Sequence, residues 1–124
     1  MIYLDTNVVL WLAAAQDQLS PSVVSMVNHA ESLFISPMVQ LELEYLHEIG
    51  RLGHPSTSVL AHLRAVLNLR TCDRAFGAVV EQAAALKWTR DPFDRLITAQ
   101  AALGNDLLLT RDKIIRANYG QARW

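Results

Sequence analysis

The chain has 124 residues, and its formal net charge of −1 argues against a plain nucleic-acid-binding module, which is usually basic. This length accommodates one domain with its own core, which we place at residues 1–124. Although 52% of the residues are hydrophobic, no apolar run approaches the roughly 18 residues of a membrane span. Cys72 is the only cysteine, which excludes an internal disulfide and a zinc site built from thiolates.

The charges are distributed unevenly along the chain. Residues 1–69 contain two basic and six acidic side chains, whereas residues 70–124 contain nine basic and six acidic ones. A positively charged second half is compatible with a bound polyanion, and equally with an ordinary uneven surface. Because the chain leads directly into a predicted strand, without a basic stretch or a cleavage site, we expect no secretory signal. Together with the single cysteine, this favours the cytoplasm.

Three short apolar runs predict strands that are buried on both faces of a parallel sheet. The runs and the polar residues that end them are 2–4 with Asp5, 33–35 with Ser36, and 107–109 with Thr110. In open parallel sheets, ligands bind just outside the carboxyl ends of the strands, so we expect one polar pocket at this edge. A further short strand, at the edge of the sheet, is predicted at 69–72.

The segments between these strands have the periodicity and capping residues of helices. We predict helices at about 7–15, 21–30, 37–49, 57–67, 75–86 and 91–103, and a short one from about 112. The first is apolar almost all round, which indicates either burial on every side or a missing partner. In a domain of this size the second explanation is the better one, so we expect an interface around Trp11.

The helix predicted at 37–49 carries a carboxylate on its apolar face. Its inward stripe consists of Met38, Val39, Tyr45, Leu46 and Ile49. Glu42 falls within the stripe, because its neighbours three and four residues away belong to it. A carboxylate in that position is unfavourable unless it is paired or binds a cation. Glu44, with Gln40 and Glu48 as its neighbours, is predicted on the solvated side.

Four acidic side chains are predicted to meet at the polar edge of the sheet: Asp5, Glu42, Asp94 and Asp112. Clustered carboxylates raise one another's pKa unless a cation intervenes. Mg²⁺ or Mn²⁺ suits such a cluster, since hard divalent ions take oxygen ligands and retain several waters. These ions can activate water and stabilise the leaving oxygen in phosphodiester hydrolysis. The short neutral side chains suited to orienting the carboxylates, metal-bound waters or a phosphate are Thr6, Asn7 and Thr110.

Each acid also has a purely structural explanation. Asp91, which precedes Pro92, has the position of a helix N-cap, and its contribution to the site is left open. Asp94 equally suits the first turn of a helix, where its negative charge complements the helix dipole. Asp112 equally suits the N-cap position of the last helix. Asp5 is explained by a turn. The order and placement of the four acids together favour the metal site.

Four segments then match a known pattern: Leu4-Asp5-Thr6-Asn7; Ser36 with Glu42 six residues later; residues 90–101, RDPFDRLITAQA; and Leu109-Thr110-Arg111-Asp112. On these segments, which span nearly the full length, the chain resembles the PIN domain family, in particular the VapC-type toxins of bacterial toxin–antitoxin pairs. The third segment is a long and specific match. At Leu46 the chain departs from many members, which carry a lysine soon after the glutamate.

The resemblance implies a three-layer α/β/α fold with a central parallel sheet of four to five strands. It implies that the catalytic residues Asp5, Glu42, Asp94 and Asp112 bind Mg²⁺ or Mn²⁺ and hydrolyse RNA. It further implies a homodimer and a cognate antitoxin that holds the toxin inactive. For binding of the RNA we predict the basic residues nearest the last two acids: Arg90, Arg95, Arg111 and Lys113.

Two alternatives come from other functional classes. A signalling receiver is also an α/β domain with acids and Mg²⁺, but it requires an aspartate ending a central strand and a lysine ending a later one. Here Ser36 and Thr110-Arg111 occupy those positions. The second alternative is a PIN fold retained only for binding, without nuclease activity, and the presence of all four acids argues against it.

Overall fold

Five short parallel strands form the central sheet in the computed structural model, which describes all residues 1–124. They are β1 (Ile2–Leu4), β2 (Leu33–Ile35), β3 (Leu69–Thr71), β4 (Leu107–Leu109) and β5 (Ala122–Arg123). Their order in the sheet is β3-β2-β1-β4-β5, and every neighbouring pair is parallel. The three buried strands and the edge strand β3 confirm the predictions. This order differs from the 2-1-3-4-5 order of receivers, so the receiver alternative is rejected.

The strand β5 was not predicted. It has two residues, which is too short for any periodicity to indicate a strand. It forms because its backbone pairs with β4: the amide of Leu108 donates to the carbonyl of Gln121, and the amide of Thr110 donates to the carbonyl of Arg123. The resulting five-stranded sheet is the larger of the two predicted sizes.

Seven α-helices connect the strands and flank the sheet, two in each of the first three connections and one in the last. They are α1 (Thr6–Ala14), α2 (Pro21–His29), α3 (Pro37–Glu48), α4 (Ser56–Val66), α5 (Phe76–Ala84), α6 (Pro92–Ala102) and α7 (Lys113–Asn118). Their starts follow from capping residues: the Ser20 hydroxyl accepts from the Val23 amide at 3.1 Å, and the Ser36 hydroxyl from the Met38 amide at 3.1 Å. Each is followed by proline at the first helical position, as the sequence predicts. The helices are all too short to span a membrane.

The core lies between the sheet and the helices that pack on it. Its fully buried members include Leu4, Ile35, Leu108 and Leu109 from the strands, and Leu43, Leu60 and Ile97 from the helices. Burial of these side chains removes apolar surface from water, which is the main favourable contribution to folding. The three-layer α/β/α fold predicted for the chain is confirmed.

The face that α3 buries overlaps only in part with the predicted one, since Val39 is buried and Met38 and Leu46 are partly buried. Val39 and Leu43 are fully buried, whereas Tyr45 and Ile49 are 49% and 48% exposed. The predicted stripe was wrong in this respect because α3 carries apolar residues on two faces, and its sequence alone does not tell which face meets the core. Glu42 lies at the border of the buried face and is half-buried, so its predicted position is retained.

Part of the surface around Trp11, where an interface is predicted, is covered by the chain itself. The Trp11 ring packs edge-on against Trp124, with ring centroids 5.6 Å apart. The guanidinium of Arg111 lies over the same ring, 5.7 Å from its centre. Three other residues of α1, Val8, Val9 and Leu12, are buried in the core. These contacts cover part of the apolar surface of α1, while Leu10, Trp11 and Ala13 remain partly exposed, so the interface stays a prediction.

Candidate active site

The carboxyl ends of β1, β2 and β4 lead directly into the N-termini of three helices. Asp5 caps α1, Ser36 caps α3, and Asp112 caps α7. Because the strands are parallel, these caps lie at one edge of the sheet. Helix N-termini carry partial positive charge and free N–H groups, so this edge favours anionic groups such as carboxylates or a phosphate.

Asp5 is held rigidly at the centre of this edge. Its carboxylate accepts hydrogen bonds from the Thr6 amide at 2.8 Å and from the Thr110 hydroxyl at 2.7 Å. Burial nevertheless raises the pKa of Asp5, because removal from water disfavours the charged form more than the two donors favour it. The nearby charges of Asp112 and Asp91 raise this pKa further. The burial, not the turn alone, distinguishes Asp5 from an ordinary loop residue.

Asp94 lies in the first turn of α6, where its half-buried carboxylate has no hydrogen-bond donor from the protein. Burial, followed by the charges of the neighbouring acids, raises its pKa to about 7. These neighbours are Asp91, Asp5, Asp112 and Glu42. A raised pKa is the reverse of what a carboxylate that only complements a helix dipole would show. The charges of four other carboxylates therefore act on Asp94.

Glu42 reaches the same region from α3. Burial raises the pKa of its carboxyl group, and the charges of Asp5 and Asp91 act in the same direction. The nearby Thr6 hydroxyl offsets this in part. The two groups do not meet in hydrogen-bond geometry, however, because Thr6 Oγ1 is buried and has no partner. Thr6 and Glu42 are thus neighbouring polar groups that the protein itself leaves unpaired.

Asp112 and Asp91 are both helix caps, so the structural explanations proposed for them are correct. Asp112 Oδ1 accepts from the amides of Ile114 at 2.8 Å and Ile115 at 2.9 Å. Asp91 Oδ1 accepts from the amides of Phe93 at 2.8 Å and Asp94 at 3.2 Å. Each cap uses one carboxylate oxygen. The second oxygen of Asp112 remains available to a ligand at the site, so capping and ligand binding are compatible there.

Glu44 has a structural function that its predicted solvated position did not indicate. Its Oε1 accepts a hydrogen bond from the Ser56 amide at 2.9 Å, at the start of α4. This interaction lowers the pKa of Glu44. Pro55, the N-cap of α4, has no side chain that can accept a hydrogen bond. Glu44 therefore caps α4 from a distance of 12 residues in sequence.

Replacing Glu44 with alanine should lower the melting temperature, because the buried start of α4 loses its side-chain acceptor. Glu48→Ala is the matched control, since Glu48 is exposed on the same helix and makes no side-chain hydrogen bond. Thermal unfolding of both variants by circular dichroism checks the prediction. Equal melting temperatures in the two variants would contradict the capping role of Glu44.

Of the predicted supporting and basic residues, some contact the acids, whereas others bind elsewhere or are exposed. The Thr110 hydroxyl joins Asp5 to the Asp112 amide, which donates to it at 3.1 Å. Asn7 is exposed and forms no hydrogen bond with any of the acids. Arg95 donates to the carbonyls of Ala83 and Ala84, both at 3.1 Å, and thereby closes the end of α5. The remaining predicted basic residues, Arg90, Arg111 and Lys113, are exposed.

Two further polar residues of α6 were not singled out from the sequence. Gln100 is 2% exposed, and its side-chain oxygen accepts from the Ser36 hydroxyl at 3.2 Å. The side-chain nitrogen of Gln100 and the hydroxyl of Thr98 are buried without partners. The sequence did indicate them, because both are polar residues on the inward side of a helix, beside Ile97 and Ala101. Gln100 links α6 to the start of α3 and so connects the helices that carry Asp94 and Glu42.

The donor chemistry of the site fits a hard divalent cation. None of the four acids is paired with a lysine or arginine, since the ion pairs of the structure all involve Asp106. All available ligands are oxygen atoms, the type that Mg²⁺ and Mn²⁺ prefer. No group of three or more His, Cys, Asp or Glu side chains is already arranged so that it could hold an ion. Binding would therefore require the acidic side chains to come closer together.

Comparison with solved structures supports the fold. The chain is similar to a chain of VapBC2 from Rickettsia felis bound to a promoter DNA fragment, with 21% identity, a TM-score of 0.67, and 94% of this chain and 92% of that one covered. It is similar to a chain of a toxin–antitoxin complex from Klebsiella pneumoniae, with 17% identity, a TM-score of 0.67, and coverage of 100% and 97%. It is also similar to a chain of FitAB bound to a DNA fragment, with 22% identity and a TM-score of 0.55. This match covers 90% of this chain and 85% of that one.

No curated protein matches the sequence. The family model described as PIN domain, in contrast, matches residues 2–120. This range includes all four acids and every element of the sheet except β5. The chain therefore belongs to the PIN domain family.

Proposed function

We propose that this PIN domain is a divalent-metal-dependent endoribonuclease, the toxin component of a toxin–antitoxin pair that acts in the cytoplasm. The observation that carries the proposal is the group of half-buried and buried carboxylates at one sheet edge, none of which has a cationic partner. Their mutual repulsion is unfavourable unless a cation binds among them. The oxygen-only set of ligands supports Mg²⁺ or Mn²⁺.

The residues have distinct parts in the proposed mechanism. Asp94, Glu42 and the second oxygen of Asp112 would hold the ion, and Asp5, oriented by Thr6 and Thr110, would complete its surroundings. When bound, the ion supplies an activated water and stabilises the leaving oxygen of the phosphodiester. The N-termini of α1, α3 and α7 point partial positive charge at the same edge, where a phosphate of the RNA would lie.

The direct test of this function is RNA cleavage by the purified chain with Mg²⁺ or Mn²⁺, compared with Asp5→Asn. The asparagine is nearly isosteric and can still accept from the Thr6 amide, but it lacks the negative charge. We expect cleavage by the original chain and its loss in the variant. RNA binding without cleavage under any of these conditions would instead favour the alternative of a PIN fold that only binds.

An antitoxin partner is proposed from the solved complexes. Two of the structures similar to this chain are a toxin–antitoxin complex and VapBC2. Because the sequence identities are low, this partner is an inference for the present chain. Co-expression with the product of a neighbouring open reading frame, followed by co-purification and inhibition of RNA cleavage, tests it.

We also propose a homodimer, formed through the second apolar face of α3. Leu41, Tyr45 and Ile49 lie four residues apart, so they form one stripe, and each is about half exposed. Such a stripe on a helix that already buries its other face indicates a partner. A second copy of the same stripe provides an apolar surface of the same kind, as two-fold symmetric interfaces do.

Leu41→Glu should therefore shift the chain from dimer to monomer, since it places a charge within an apolar interface. Ile114→Glu is the control, because Ile114 on α7 is 58% exposed, close to the 55% of Leu41, and lies outside the stripe. Sedimentation velocity of the three chains at equal concentration measures the effect. A monomeric original chain, or equal dissociation in both variants, would exclude this interface.

A further inference from the structure

A cluster of two tryptophans and one arginine lies beside the acidic edge and has no part in the mechanism described above. The rings of Trp11 and Trp124 meet edge to face, and the Arg111 guanidinium lies over the Trp11 ring. Both rings are partly exposed, and Arg111 is exposed. Arg111 forms no ion pair with a carboxylate. The cluster thus offers aromatic surface and an unneutralised positive charge together.

The chain connectivity places this cluster next to the acids. Arg111 stands between Thr110, which binds Asp5, and Asp112. Trp11 is six residues beyond Asp5, which corresponds to about 9 Å along α1 at the usual helical rise. Trp124 follows β5, which pairs in parallel with β4. Trp124 therefore lies at the same edge of the sheet as Arg111, at the carboxyl ends of these strands. The cluster therefore adjoins the acidic edge on the β5 side.

The chemistry of the cluster is that of single-stranded nucleic-acid binding. Unpaired bases stack on aromatic side chains and on the planar guanidinium of arginine, while the positive charge attracts the phosphate backbone. The two tryptophans could serve only to pack against the core. That structural role would not require an exposed arginine without an ion-pair partner over one of the rings. Because the neighbouring edge is acidic, a positive charge here also offsets the repulsion that a polyanion meets at the carboxylates.

We infer that Trp11, Arg111 and Trp124 form a stacking site for one base of the RNA, adjacent to the phosphodiester that is cleaved. This inference rests on the proposed ribonuclease function and adds the residues that position the strand. The aromatic surface tolerates any base in stacking, so the site positions a nucleotide and does not by itself select a sequence.

The test compares RNA oligonucleotides that are identical except for the position of a single abasic nucleotide. Binding is measured in Mg²⁺ with Asp94→Asn as the background, so that cleavage does not interfere. We expect one position at which loss of the base weakens binding about 5-fold to 160-fold, the range of stacking on one aromatic side chain. Adding Trp124→Leu to the background should reduce this abasic effect, because the base has already lost one of its stacking partners.

Trp88→Leu is the matched control, since Trp88 is also a partly buried tryptophan that packs on the core but lies outside the cluster. It should leave the abasic effect unchanged. Arg111→Gln is the second variant, because an exposed side chain can be replaced without endangering the fold, and it should reduce both binding and the abasic effect.

Three outcomes would overturn the inference while the cleavage assay still supports the ribonuclease. They are the absence of any abasic effect, an unchanged effect in both Trp124→Leu and Arg111→Gln, and loss of inhibition by the antitoxin in these variants with normal RNA binding. The last result would assign the cluster to the protein partner. Absence of RNA cleavage by the original chain would instead defeat the proposed function itself.

Discussion

Replacing Asp94 with asparagine should reduce RNA cleavage at least about 10-fold to 100-fold, a scale set by changes to residues that only support metal ligands. The amide cannot supply the negative charge that a divalent cation requires. Asp94 is a suitable acid for this test, because no protein donor stabilises its carboxylate and its pKa is raised to about 7. The initial rate of RNA cleavage and the Mn²⁺ affinity of the variant measure the loss.

Asp91→Asn is the matched control, three residues away in the same motif. Asp91 Oδ1 is occupied by the amides of Phe93 and Asp94, and asparagine caps a helix about as well as aspartate. We expect this variant to retain most activity and to lose only a few tenths of a kcal/mol of stability, against about 1 kcal/mol for Asp91→Ala. An inactive Asp91→Asn beside an active Asp94→Asn would reverse the two assignments.

Removal of the metal should have the same effect as removal of its ligand. Excess EDTA is expected to abolish cleavage, and added Mn²⁺ or Mg²⁺ to restore it, because the site contains carboxylates and no nucleophile paired with a histidine. The four histidines, His29, His47, His54 and His62, lie outside the acidic segments. Undiminished cleavage in excess EDTA would refute the metal mechanism.

The second large effect concerns the pH dependence of stability in the absence of metal. Burial and neighbouring charges raise the pKa of Asp94 from 3.8 to about 7, and the pKa values of Asp5 and Glu42 are also raised. Between about pH 4 and 7 the unfolded chain has therefore released protons that the folded chain retains. Stability must fall as the pH rises through this window and become constant above it.

The magnitude follows from linkage and solvent screening. One pKa unit corresponds to about 1.4 kcal/mol, but Asp94 is half-exposed, so we expect a net loss of only about 1 to 2 kcal/mol between pH 5 and 7. The lowered pKa values of Asp106 and Glu44 act in the opposite direction, but their contribution is complete above about pH 4.5. Between about pH 5 and 7 the change in stability therefore reports mainly on the acidic cluster.

Denaturant unfolding in EDTA at pH 5, 6 and 7 measures this dependence. Asp94→Asn should flatten it and should be more stable than the original chain at pH 7, since an unfavourable buried charge is gone. Mn²⁺ should restore stability of the original chain at pH 7 by binding the folded state. Stability that rises from pH 5 to 7 would show that these carboxylates are not repelling one another.

The strands β1 to β4, the starts of α2 and α3 and the positions of the four acids along these elements were predictable from the sequence, because each depends on neighbouring residues. A run such as Leu107–Leu109 predicts a largely buried strand, and Ser36 before Pro37 predicts the start of a helix. Asp5 lies at the sheet edge because it directly follows β1. Asp112 lies there because it comes three residues after the end of β4. The long match over residues 90–101 placed Asp94 in the first turn of α6.

What the tertiary structure decided depends on contacts between distant parts of the chain. The face of α3 that is buried, the bond of Glu44 to α4, the engagement of Arg95 with the end of α5, and the pairing of Trp11 with Trp124 all involve partners that no local pattern specifies. The strand β5 exists only because β4 offers its free backbone groups. Periodicity shows that a helix has an apolar face or an acid at a given position, but the packing of other elements determines which face is covered and which charge remains unpaired.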